Sequence, residues 1–134
     1  MKFGVSCEEK DLAIEVIEGR KTVTRRLKPC EIGDFVEIEQ EQHDKTWRRI
    51  GTARVIACEL DSKWLERVLS NKLLIELEDI IDDESTKEGY SNIHNLYLDL
   101  TKYYGSPLRK LWRIELGDVE KDNGEKWHER MGLE

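Results

Sequence analysis

Residues 19 to 28 hold five cations, two hydroxyl groups and a leading glycine, with no acid among them, in a chain whose net charge is −7. Gathering Arg20, Lys21, Arg25, Arg26 and Lys28 in so short a segment costs self-repulsion. The fold must therefore set acids against the cluster or hold it against an anionic or hydrogen-bonding ligand. The start of the segment is constrained as well. Leu12, Ala13, Val16 and Ile17 recur at three- and four-residue spacing, which predicts an amphipathic helix between Glu8 and Glu18. Gly19 then stands at the left-handed cap position. Such a helix aims its last carbonyls toward Arg20 and Lys21, where positive charge is favourable, and the chain turns before continuing as a strand over residues 23–27. The basic cluster begins at a helix-to-strand corner.

The remaining pattern is mostly that of strands. Pro29 and residues 31–34 read as a turn, residues 35–39 as a short strand, and residues 40–49 as a polar loop or hairpin tip. Residues 50–60 read as the longest strand. Ile50, Thr52, Arg54, Ile56 and Cys58 fall on one face and Gly51, Ala53, Val55 and Ala57 on the other, so one side is small enough for another layer to approach closely. Trp112, Ile114 and Leu116 alternate in a final strand. Together these segments predict an α+β fold built on a small, twisted, mainly antiparallel β-barrel with flanking helices. Asp61 or Ser62 can cap a helix holding Trp64, Leu65 and Val68. Residues 71–81 are apolar at helical spacing with acids between, with a strand as the alternative. From Ser91 as N-cap, Ile93, Leu96, Tyr97, Leu100, Tyr103 and Tyr104 trace one helical face that Gly105 stops, with Pro107 soon after.

At 134 residues the length fits a single domain, read as residues 1–118, followed by a charged extension over 119–134 that forms a short helix or a tail. Cys7, Cys30 and Cys58 are odd in number and lack a C-x-x-C pair, which argues against a disulfide framework and against the usual zinc pattern. His43, His94 and His128 show no ligand spacing, and no metal or cofactor is expected. No apolar run approaches the roughly 18 residues of a membrane span, so a cytoplasmic location is expected.

Gly19, Lys21, Thr24 and Arg26 match the G-x-K-x-x-(Glu/Thr)-x-R signature of ASCH domains, small relatives of the PUA RNA-binding fold. Three further pieces follow in the expected order. They are the strand opener Gly33-Asp34-Phe35-Val36-Glu37-Ile38, a Lys87-Glu88-Gly89-Tyr90 loop ahead of a helix ending Tyr103-Tyr104-Gly105, and the closing strand at residues 111–116. The chain thus resembles an ASCH domain over most of residues 9–118, with a longer middle segment, 61–86, than the shortest members carry. The resemblance implies a PUA-like fold. One branch of small bacterial members hydrolyses the amide of N4-acetylcytidine with a lysine and a threonine of this motif and a glutamate of the later loop, which match Lys21, Thr24 and Glu88. A second branch is associated with RNA binding and single-strand ribonuclease activity, in which the same lysine contacts a phosphate.

The residue chemistry fits both branches. A deacylase needs a nucleophile, a base to take its proton and an acid for the leaving amine. A threonine hydroxyl beside a lysine of lowered pKa serves the first two needs. Residues 21 and 24 face opposite sides of a regular strand, so they converge only where the chain turns near Lys21. Cationic neighbours lower the pKa of Lys21, while a close Glu88 raises it. Arg20, Arg25, Arg26 and Lys28, with Arg48 and Arg49 of the polar loop, are candidates to line a cleft for a nucleotide, a modified nucleoside or single-stranded RNA. Trp47 either stacks on a base or packs on the barrel. The plain alternative is a solvated basic face paired with the acids of residues 76–88.

Overall fold

The small-residue face of the longest strand sets how the layers meet. The computed structural model describes residues 1–60, 85–105 and 110–122. Its elements are β1 (Lys2–Phe3), α1 (Leu12–Ile17), β2 (Val23–Arg26), β3 (Phe35–Glu41), β4 (Trp47–Leu60), α2 (Ile93–Tyr104) and β5 (Trp112–Lys121). On β4, Gly51, Ala53 and Val55 are buried while Arg54 and Ile56 are exposed, as the alternation predicts. Ile17 of α1 and the Glu120 backbone of β5 close over Gly51, where no side chain would fit.

All five strands form one sheet in the order β1-β3-β4-β5-β2. β1 runs parallel to β3, and every other neighbouring pair is antiparallel. The register slips between Ile38 and Glu39 of β3, and twice along β4 where it meets β5. Bulges of this kind bend strands and strengthen their twist, and here the sheet curls into a half-barrel. β1 and β2 are its two edges. Val16, Ile38, Val55, Leu96 and Ile114 are among the residues of the single core cluster inside the curl.

Several boundaries differ from the sequence reading, each for a local reason. α1 begins at Leu12 rather than near Glu8, because the Asp11 carboxylate accepts from the amides of Ala13 and Ile14 and so fixes the cap there. β3 continues to Glu41 and β4 begins at Trp47, so the expected loop over residues 40–49 shrinks to a tip over 42–46, with Lys45 at φ 69°. Asn92, not Ser91, caps α2, since its side chain accepts from the Asn95 amide while Ser91 is engaged by Glu8. Gly105 ends α2 with φ 77°, the left-handed conformation its position implied. β1 has only two residues, too few to show a periodicity. β5 runs to Lys121, which brings residues 119–121 into the sheet. The helices read over 61–68 and 71–81, and the tail beyond Asp122, lie outside the described residues.

Gly51 offers a direct test of this packing. A methyl group there would sit 2.5 Å from the Glu120 carbonyl oxygen and against the tip of Ile17. Gly51→Ala is expected to lower stability by about 1–3 kcal/mol in urea unfolding, the usual cost of overpacking. Gly33→Ala, at a half-buried position strained by its φ of 97° but with open space at its Cβ, separates backbone strain from crowding.

Candidate functional site

Lys21 lies in the link between α1 and β2, two residues before the strand starts. The amides of Arg20 and Lys21 both donate to the Glu15 carbonyl, and that of Thr22 donates to the Lys87 carbonyl at 2.7 Å. This link supplies the turn that convergence required. Because Lys21 stands outside the strand, the alternation that would separate it from Thr24 does not apply, and both side chains line the same cavity. Each is 4 % exposed.

The Lys21 ammonium donates to the carbonyls of Val23 at 2.8 Å and Glu88 at 2.7 Å. Burial, the largest influence, brings its pKa down from 10.5 to about 8. Glu88 opposes this, Arg26 and Arg25 assist it, and Asp99 opposes it more weakly. In the neutral amine two N–H groups satisfy the two carbonyls, which leaves the lone pair available as a proton acceptor. The same depression of pKa destabilises the fold when Lys21 is charged. That penalty is relieved as pH rises from about 8 to 10.5, where the unfolded chain holds the extra proton.

Thr24 accepts a hydrogen bond from Arg26 Nε at 3.2 Å, so its own hydroxyl proton remains to be given elsewhere. Arg26 is held at both ends: its Nη2 donates to the Lys2 carbonyl at 2.8 Å, and its guanidinium lies 4.6 Å from the centre of the Phe3 ring. The group thus reaches from edge strand β2 to edge strand β1.

Glu88 is 1 % exposed and its carboxylate is ion-paired with Arg25, itself 3 % exposed. Glu88 therefore holds Lys21 through its backbone carbonyl while Arg25 takes its side chain. Gly89 follows at φ 89°, a left-handed turn that favours glycine and carries the chain back past Lys21 and Leu12. Beyond it, the buried Tyr90 hydroxyl donates to Asp99, which also accepts from the Cys7 amide at 3.1 Å. Burial and this acceptor push the Tyr90 pKa far up, so the phenol stays protonated.

These groups surround a cavity of about 370 Å³. Lys2, Lys21, Thr24, Arg25, Arg26, Glu41 and Glu88 are its charged and polar lining, and Phe3, Trp47, Tyr90, Tyr103 and Tyr104 its aromatic wall. Trp47 lines it from the start of β4, with the Lys2 ammonium 5.4 Å from its ring. Arg20, Lys28, Arg48 and Arg49 lie outside the lining and are exposed. Arg20 is paired with Glu15, and Arg49 with Glu37 and Asp122. Glu88 comes from the acidic stretch that was set against the cluster, whose acids before residue 85 lie outside the described residues. Phe3, Tyr90 and Tyr104 were not anticipated as site residues. Tyr104 had a usable signal, as the last apolar position of the α2 face, whereas nothing in the sequence places Phe3. Among the described residues no three His, Cys, Asp or Glu side chains converge as a metal site.

Removing one partner of a buried ion pair strands the other charge and costs about 3–5 kcal/mol. Arg25→Met is expected to lower stability by that amount in urea unfolding, and pairing it with Glu88→Met to recover most of the loss. Additive losses would show that the two side chains are not coupled.

No family model matches the chain, and no curated protein matches it. Among solved structures its fold is similar to that of the crystal structure of ASCH from Zymomonas mobilis, with a TM-score of 0.54 and 16 % sequence identity. The similarity covers 90 % of this chain and 68 % of that one. The α+β half-barrel is thus the fold of an ASCH structure, as the signature implied.

Proposed function

We propose that this ASCH-fold chain is a cytoplasmic amidohydrolase that binds a modified nucleoside and cleaves the amide of an N4-acylated cytidine. A single observation carries the reading. At the wall of one cavity, a buried lysine is held by two carbonyls with its pKa lowered to about 8, and a threonine lines the same space. The cavity volume is in the range of small-molecule sites. The ASCH fold and the positions of Lys21, Thr24, Arg26 and Glu88 within one cavity support the same reading.

The chemistry runs in two halves. Neutral Lys21 takes the Thr24 proton as Oγ1 attacks the acyl carbon, and Arg26, already bonded to Oγ1, stabilises negative charge there. The tetrahedral intermediate collapses, the bond to cytosine N4 breaks, and the Lys21 ammonium returns its proton to the leaving amine. Water, activated by Lys21 in the same way, then hydrolyses the Thr24 ester and releases the carboxylic acid. Glu88 positions Lys21, and no cofactor is required.

The competing reading is a non-catalytic RNA-binding module or single-strand ribonuclease. Arg20 and Arg49 already have carboxylate partners, which favours a neutral substrate over a tracked phosphate backbone.

Release of cytidine from N4-acetylcytidine, separated by chromatography, tests the proposal. Thr24→Val is expected to abolish turnover, and Lys21→Met to reduce kcat about 100- to 10,000-fold. For the wild type, kcat/KM should climb with pH to a plateau with its midpoint at about 8, as Lys21 loses its proton, and salt should have little effect. A folded wild-type protein that releases no cytidine, or a steep loss of single-stranded RNA binding with salt, would move the assignment to RNA.

A further inference from the structure

The lining of the cavity includes an exposed polar and aromatic part and, among its buried residues, three leucines. At its outer end Lys2 and Tyr103 are exposed, the latter by 50 %, and Glu41 and Trp47 are partly so. Leu12, Leu96 and Leu100 line the same cavity and are 6, 1 and 5 % exposed, so the surface they present belongs to its buried part, together with Lys21, Thr24, Arg25 and Glu88. Leu96 and Leu100 stand one helical turn apart on α2, and Leu12 is the first residue of α1. Leu12 also flanks Gly89 together with Lys21: a Cβ at Gly89 would lie 3.4 Å from Leu12 Cδ2 and 3.5 Å from Lys21 Cβ. Leu12 therefore lies near the Lys21 side chain, within the same cavity lining.

An N4-acylated cytidine has two parts of opposite character on either side of the bond that breaks. The nucleoside part carries ribose hydroxyls and the polar edge of the base, and burying these against leucine would leave them without partners. The acyl part is small and aliphatic and loses nothing there. The exposed part of the lining suits the nucleoside, with Trp47 and Tyr103 as ring faces and Lys2 and Glu41 as hydrogen-bonding groups. The buried leucines then receive the chain attached to the carbonyl.

We propose that Leu12, Leu96 and Leu100 form an acyl-binding subsite that restricts this enzyme to short, unbranched aliphatic acyl groups. This inference rests on the amidohydrolase reading and goes beyond it by naming the group on the acid side of the amide and the residues that measure its length. Leu100 is a specificity-determining residue, placed by α2 in the lining that it shares with Thr24 and Lys21.

The test compares kcat/KM for N4-acetyl-, N4-propionyl-, N4-butyryl- and N4-hexanoylcytidine in the wild type, Leu100→Ala and the milder Leu100→Val, each checked for folding by circular dichroism. In the wild type kcat/KM should fall as the chain lengthens. Leu100→Ala should raise the butyryl-to-acetyl ratio by about tenfold or more, the scale of one or two methylenes in an apolar pocket, and Leu100→Val should raise it by less. A ratio is not moved by a general loss of active protein, so a merely structural role for Leu100 would lower all four substrates together. An active wild type whose chain-length profile is unchanged in both variants overturns the subsite and leaves the amidohydrolase reading standing. A wild type inactive on all four substrates overturns both.

Discussion

Desolvation of charge governs the site end of this fold. Lys21, Arg25, Glu88 and Asp99 are all nearly removed from solvent, and no such group is tolerated without partners supplied by the chain. Each solution imposes geometry on its surroundings. The Glu88 carboxylate is taken by Arg25, which fixes the loop before α2 against β2. With its side chain so occupied, Glu88 offers Lys21 its carbonyl, and Gly89 adopts a left-handed conformation at that point. Asp99 takes the Tyr90 hydroxyl and the Cys7 amide, tying α2 to the loop ahead of α1. The segments that meet here are distant in sequence, so the ionic interactions also specify the tertiary arrangement.

The second constraint is the incomplete closure of the sheet. A curled sheet of five strands has two edges, and edges expose backbone groups that natural proteins cover or pair. Part of the β1 edge is met by a side chain, Arg26, whose guanidinium bonds the Lys2 carbonyl while its face rests by Phe3. The cavity is lined by residues of both edges and of α2, where a closed barrel would be filled by side chains. A fully closed sheet would leave no such space. The position of the candidate site thus follows from topology, and its chemistry from the few residues of β2 and of the loop at Glu88 that reach the opening.

What was legible in the sequence depended on the range of the interaction. Patterns that repeat along one element read well, such as the apolar face of α2 with its stop at Gly105 and the small-residue face of β4. The convergence of Lys21 and Thr24 was legible as a requirement, because the Gly19 corner supplied a turn at the needed place. Interactions between remote segments were not. Nothing local indicates that Arg25 belongs to Glu88, 63 residues away, so Arg25 read as one more cation in the cleft. β1 was missed because two residues carry no period, and Trp47 read as a loop residue because the polar sequence around it masked a strand whose outer face is solvated. The sequence set cationic neighbours against Glu88 as influences on Lys21; the largest influence, burial, was not among them, since it turns on solvent exclusion by parts of the chain far from residue 21.

The basic segment itself turns out to be heterogeneous, and this bears on what can bind there. Arg20 and Lys28, at its ends, are exposed. Arg25 is committed to Glu88, and Arg26 to the Lys2 carbonyl and to Thr24. Lys21 is committed to two carbonyls. Among the described residues the self-repulsion expected from five clustered cations is thus relieved internally, by the Glu15 and Glu88 carboxylates, three backbone carbonyls, a hydroxyl and an aromatic face. A phosphate entering the cavity would compete with these contacts, whereas a neutral amide needs none of them broken. Burial and the neighbouring Arg26 and Arg25, against the pull of Glu88, lower the pKa of Lys21 to about 8, and the bond from Arg26 orients Thr24.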